Sequence, residues 1–240
     1  MLRDAPFIDG EYYHVFNRGA HKIDIFLEEK DYERFQLLLH LANNRDGVNL
    51  RNIFIKYKGK PISAIFESEI PDKGLVEVLA YCLMPNHFHL VLRQKSENGI
   101  SSFLKRLLTG YSMYFNLTNE HSGTLFQGPA KSRLVDNEAY FRYIFAYVHL
   151  NPLALIGYEK QKHSIEKTKM REFLNSYPYS SFYDYNVANR PEKTVLALDS
   201  VPDFLKASND LEDLLRWEEG GDLLQELSTV AKDYPLHGGG

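Results

Sequence analysis

The sequence predicts an α+β protein, a mainly antiparallel sheet with helices packed on it and a helical extension at the C-terminal end. Three observations lead there. Short runs rich in β-branched and aromatic residues stand at 12–17, 75–83 and 87–93, the length and composition of strands. Between and after them, apolar residues recur at helical spacing over 31–43 and from the serines at 101 and 102 toward Asn119. With 240 residues, 44% of them hydrophobic, the chain can bury one sizeable core, or a core and a small appendage.

The first strand, 12–17, ends at a loop opened by Gly19. Phe35, Leu38, Leu39 and Ala42 then repeat at i, i+3, i+4 and i+7, which makes 31–43 a helix. The stretches 48–56 and 62–66 read as two short strands around the turn Lys58-Gly59-Lys60-Pro61. The strong strands 75–83 and 87–93 flank Met84-Pro85-Asn86 and should form a hairpin. Ser101 and Ser102 stand where an N-cap belongs, ahead of a stripe of Phe103, Leu104, Leu107 and Tyr111 that Ser122-Gly123 must break. A short strand at 131–135 follows, then a helix capped by Asp136 or Asn137 and ended by Pro152. Beyond it come a charged stretch at 159–172, an aromatic segment at 177–185 and an acidic tail. Pro191 and Pro202 bracket an expected linker, and Leu211, Leu214, Leu215, Leu223, Leu224 and Leu227 give the tail an apolar side interrupted at Gly220-Gly221.

Composition narrows the function classes. The single cysteine, Cys82, lies in an apolar run and cannot form an internal disulfide, which fits a reducing cytoplasm. The first ten residues lack an apolar signal region, and no stretch approaches the roughly 18 to 20 apolar residues needed to span a bilayer. The net charge of −4 is uneven: residues 199–240 carry ten acidic and three basic side chains, leaving 25 basic against 22 acidic in residues 1–198. The main body therefore has the sign that a phosphate backbone requires.

The chemistry-bearing residues sit on two elements. In a strand, alternate side chains share a face, so His87 and His89 project together while Phe88, Leu90 and Leu92 point into the core. Two imidazoles on one wall suit a divalent metal, although two partly exposed histidines on a strand are also commonplace. On the helix before Pro152, Tyr147 and Asn151 are spaced i and i+4 and share a face. A phenol, an oxygen donor and two imidazoles are the parts for attack on a phosphodiester. By spacing alone, a half-buried tyrosine and a helix-terminal asparagine before proline account for the same pair.

Larger motifs bear on that choice. The string YCLMPNHFHLVL at 81–92 resembles the signature of the HUH single-tyrosine transposases, in particular the branch associated with REP palindromes. YYHVFNRG at 12–19, GTLFQG at 123–128, YVHLNP at 147–152 and YSSFYDY at 179–185 are similar to further family segments in the same order. The resemblance spans roughly residues 10–186, with one departure after Gly128, where Pro129 and Ala130 precede the retained Lys131 and Arg133. It implies a ferredoxin-like HUH nuclease fold with a catalytic domain at 1–152 and an aromatic extension at 153–190; the acidic helical tail at 191–240 lies outside the recognised pattern. It further implies His87, His89 and Asn151 as ligands of Mg2+ or Mn2+ and Tyr147 as the nucleophile, which forms a 5′-phosphotyrosine on single-stranded or hairpin DNA and later rejoins ends. The protein would act as a monomer or homodimer.

Candidate phosphate contacts are Arg18, Lys22, Lys105, Arg106, Lys131, Arg133 and Arg142; Tyr13, Phe126 and Tyr179 are candidates for stacking on unpaired bases. Tyr111 and Tyr114 continue an apolar stripe and read as core. Two alternatives stay open: a hairpin-binding or regulatory protein of the same fold without transposition, and a phosphodiesterase in which water attacks and Tyr147 is structural.

Overall fold

The computed structural model describes residues 6–69, 74–158, 165–187, 189–206 and 210–220. Four strands, β1 (Tyr12–Arg18), β2 (Val76–Met84), β3 (His87–Gln94) and β4 (Lys131–Leu134), form an antiparallel sheet ordered β2-β3-β1-β4. Helices α1 (Glu29–Ala42), α2 (Leu50–Lys56) and α3 (Ser63–Ser68) lie between β1 and β2 in sequence, and α4 (Gly99–Thr118) joins β3 to β4. This strand–helix–strand–strand–helix–strand framework, with β1 beside β3, is the ferredoxin-like arrangement. After β4 come α5 (Glu138–Leu150), α6 (Lys167–Asn175), α7 (Ser181–Asn186), α8 (Asp203–Lys206) and α9 (Leu211–Gly220).

Alternation along the strands divides the hydrophobic residues between the two sheet faces. Val15, Phe88, Leu90 and Leu92 pack with α1 and α4 on one side. Cys82, Met84 and Val91 pack with α5 on the other, and residues of α6 to α9 extend that second core. Helix α5 is therefore sandwiched between the sheet and the C-terminal helices, with Leu211, Leu214 and Leu215 of α9 buried against its side of the molecule.

Several local features differ from the sequence reading. The stretches 48–56 and 62–66 are the helices α2 and α3, not strands. Asn49 caps α2 by accepting a hydrogen bond from the Asn52 N–H at 3.2 Å, and α3 starts just after Pro61. Capping outweighs the strand preference of Ile53, Phe54 and Ile55, and Ile55 remains 64% exposed. Helix α4 begins two residues before Ser101, with Asn98 in the left-handed region as its N-cap. Gly99 permits this start because a Cβ there would lie 2.3 Å from the Leu75 carbonyl oxygen. The proline-bracketed segment 191–202 is no linker: two 3-10 turns bury Val195, Leu196 and Val201, and Ala197 N–H donates to the Val78 carbonyl on the β2 edge at 2.9 Å. Leu223, Leu224, Leu227 and Gly221 lie outside the described residues, as does 159–164 of the charged stretch.

A buried network attaches the aromatic segment to the sheet. Tyr81 Oη donates to Asp184 Oδ2 at 2.6 Å, Gln36 donates to Tyr81 Oη at 3.0 Å, and Arg190 Nε donates to Asp184 Oδ1 at 2.6 Å. Tyr81 and Arg190 thus compensate the fully buried Asp184 from two sides, and a further bond from Arg190 to the Pro178 carbonyl at 2.6 Å holds the guanidinium in place.

Candidate active site

His87 opens β3 directly after the two-residue turn Pro85-Asn86, and three contacts fix that turn. The Pro85 carbonyl accepts from the N–H groups of Ile25 and Phe26 at 2.7 and 3.0 Å, and the Asn86 carbonyl accepts from Gly19 N–H at 2.9 Å. His87 Nδ1 pairs with Asn86 Oδ1 at 2.7 Å. Phe88, Leu90 and Leu92 are wholly buried toward α1 and α4, which leaves His87 and His89 facing α5.

Helix α5 meets them from above. Asn137 Oδ1 accepts from Tyr140 N–H at 2.8 Å to start the helix, and Pro152 turns its end into the 3-10 segment Asn151–Ile156. Tyr147 Oη lies 3.4 Å from His89 Nε2, and the two rings meet edge-on with centroids 5.1 Å apart. Asn151, one turn later, has its side chain near enough to His87 to influence its titration, and its Oδ1 accepts from the Cys82 thiol at 4.0 Å. The structure thus brings His87, His89, Tyr147 and Asn151 into one cluster.

One member escaped the sequence reading. His14 of β1, in register with Val91, shares the face of His89, and its Nε2 is 2.9 Å from His89 Nδ1. Its signal was parity with Phe16 and Arg18 along β1, which pairs them opposite His89 and His87; that register is fixed by folding and has no local sequence mark.

The imidazoles are held neutral. Burial, reinforced by His87 and His14, pushes His89 well below the ordinary histidine range. Burial lowers His87 to about 4 against the opposing effect of its hydrogen bond to Asn151, with Arg18 adding to the drop. His14 falls to about 3, through burial first and then Arg133. Among the described residues no group of three or more His, Cys, Asp or Glu side chains is gathered as a metal site. The donor set here is different: two uncharged imidazoles beside a carboxamide, whose nitrogen and oxygen lone pairs suit a divalent cation.

The predicted phosphate contacts separate by location. Arg18 pairs across from His87, while Lys131 and Arg133 pair across from Phe16 and His14, so these three cations share the face of the site on its β1–β4 flank. Arg133 also lies 4.6 Å from the Tyr140 ring centre, and Arg18 Nε donates to Gln127 Oε1 at 2.7 Å. Lys22 is exposed in the loop after β1. Lys105 and Arg106 are on α4, across the sheet from the site, and Arg106 donates to the Asn44 and Arg45 carbonyls. Arg142 is taken up by Glu138, the Phe204 carbonyl and the rings of Phe204 and Trp217. Of the proposed stacking aromatics, Tyr13 and Phe126 are core residues, as is Tyr111, while Tyr179 stacks on Tyr32 with centroids 4.0 Å apart.

Residues 48–151, which include His87, His89, Tyr147 and Asn151, match the family model of the IS200-like transposases. No curated protein matches the chain. Among solved structures, the chain is similar to a REP-associated tyrosine transposase bound to a REP hairpin, with 13% identity, a TM-score of 0.44, and coverage of 85% of this chain and 92% of that one. It also shows similarity to tRNA(His) guanylyltransferase from Saccharomyces cerevisiae, with 10% identity, a TM-score of 0.31, and coverage of 84% and 85%.

Proposed function

We propose that this chain, a member of the IS200-like transposase family, cuts and rejoins single-stranded DNA near palindromic hairpins through a covalent 5′-phosphotyrosine at Tyr147. The observation that carries the reading is the Tyr147 hydroxyl 3.4 Å from His89 Nε2, with His87 and Asn151 in the same cluster. A family of transposases supplies DNA as the substrate; the ordered HUH-like motifs support single strands and hairpins.

In this reading Tyr147 Oη attacks the scissile phosphorus, the bond from phosphorus to the 3′ oxygen breaks, and that oxygen takes a proton to become a free 3′-hydroxyl. The phenolic proton leaves to solvent, because the lone pair on His89 Nε2 is the one that would ligate the cation. Attack by a 3′-hydroxyl on the phosphotyrosine reverses the step, and the phosphoester energy is conserved in the covalent bond. His87, His89 and Asn151 would hold a Mg2+ or Mn2+ ion, which supplies Lewis-acid polarisation of the phosphate oxygens when bound. Arg18, Lys131 and Arg133 flank the same face and would take the neighbouring phosphates.

The test uses the purified protein with Mn2+ and a labelled single-stranded hairpin drawn from DNA flanking its gene. A covalent adduct that resists denaturation is expected, and Tyr147→Phe should abolish it. Persistence of the adduct in that variant sinks the nucleophile assignment. Hairpin binding without any adduct across several divalent metals would favour a binding or regulatory protein of the same fold.

A further inference from the structure

His14 belongs to the motif at 12–19, and the reaction described above gives its side chain no task. It is 7% exposed, and its Nε2 meets His89 Nδ1 at 2.9 Å. The ring planes are 19° from parallel with centroids 5.1 Å apart, the arrangement of two imidazoles meeting edge to edge through that contact rather than face to face. Phe16 covers the pair, its ring centre 4.9 Å from His14 and 5.8 Å from His89. Both nitrogens of His89 are thus engaged, Nδ1 with His14 and Nε2 toward the Tyr147 hydroxyl at 3.4 Å.

A neutral imidazole carries one N–H, so the proton between the two rings decides what His89 Nε2 can do. If His14 donates, His89 Nε2 is itself an N–H and can neither accept the phenolic hydrogen nor ligate a cation. If His89 Nδ1–H donates to His14, Nε2 keeps its lone pair facing Tyr147. We infer that His14 is a positioning residue that accepts the His89 Nδ1–H and so fixes the tautomer and ring plane presenting the His89 Nε2 lone pair beside Tyr147. The purpose of this arrangement rests on the metal-and-tyrosine reading of the site; the tautomer itself is a property of the chain alone. Ligating histidines commonly have the second nitrogen held this way, and losing the holder costs about 10- to 100-fold in metal affinity.

The experiment is long-range 15N–1H correlation spectroscopy of the His89 ring in the metal-free, full-length protein, followed by Mn2+ titration by calorimetry. The wild type should show His89 protonated on Nδ1 and bare on Nε2. His14→Leu, which removes the acceptor, should shift His89 toward the Nε2–H form and weaken Mn2+ binding about 10- to 100-fold. His14→Gln, whose side-chain oxygen can take the place of His14 Nε2, should restore most of both. A wild-type His89 protonated on Nε2 overturns the inference, whether or not any variant folds, and so does an unchanged tautomer in folded His14→Leu. Absence of Mn2+ binding by a wild type with the expected tautomer counts against the metal reading and leaves the inference supported.

Discussion

Acidification from pH 7.5 to 5.0 should destabilise the protein through histidines trapped uncharged, and His149 allows the effect to be isolated. Its ring is 1% exposed, lies edge-on to Phe145 at 4.3 Å, and pairs through Nε2 with Ser181 Oγ at 2.8 Å. Burial lowers its pKa to about 3, against about 6.5 in the unfolded chain. Between those values the unfolded state binds more protons, so this group costs nothing above pH 6.5 and progressively more as pH falls toward 3. At pH 5.0 the loss from His149 is about 2 kcal/mol, a substantial part of the roughly 5 to 15 kcal/mol that stabilises a typical domain. His14, lowered to about 3, and His87, lowered to about 4, add to the total in the wild type. His149→Gln keeps a polar partner for Ser181 and removes one titration. Urea unfolding at the two pH values should therefore show a loss of stability about 2 kcal/mol smaller in the variant than in the wild type. Equal losses in both proteins would refute the claim that His149 is held neutral by burial.

Asp184→Ala should lower unfolding free energy by about 3 to 5 kcal/mol, because Arg190 and Tyr81 lose the partner they bury; chemical denaturation measures it, and a loss under about 1 kcal/mol contradicts the network. Arg18→Ala and Lys131→Ala should each flatten the log–log dependence of single-stranded DNA affinity on salt by about 0.7, whereas Lys105→Ala, across the sheet, should leave it unchanged. Fluorescence anisotropy over a salt series distinguishes the two outcomes. Arg142→Ala should cost about 1 to 2 kcal/mol of stability, given its contacts to Glu138, Phe204 and Trp217, with no change in that salt dependence; a flattened slope would return Arg142 to the DNA-binding surface.

The sheet and its principal helices were legible because their signals are local. The period-two burial of Phe88, Leu90 and Leu92 and the i, i+4 pair Tyr147 and Asn151 appear directly in the string of residues. Helices α2 and α3 were misread since Ile53, Phe54, Ile55, Ile65 and Phe66 favour strands, while the cap that starts α2 depends on a hydrogen bond from the Asn52 N–H to Asn49 Oδ1 and α3 has no side-chain cap to mark it. The site was half visible for a related reason. His87, His89 and Tyr147 stand in distinctive strings, but His14 joins them through the β1–β3 register, and Arg142 leaves the list through contacts with residues more than sixty positions away. Sequence neighbourhood likewise grouped Lys105 and Arg106 with the site, although α4 packs on the opposite face. Pro191 and Pro202 suggested a linker because proline marks chain reversals equally well in a packed segment and in an open one.

The proposed reaction requires that Tyr147 itself carry the DNA. Proteolysis of the adduct formed with Mn2+ and a hairpin strand, followed by tandem mass spectrometry, reads the modified residue directly. A nucleotide joined through its 5′ phosphate to Tyr147 is expected; a 5′-linked nucleotide on Tyr140, Tyr143 or any other residue, with Tyr147 unmodified, would contradict the assignment of Tyr147 as the nucleophile.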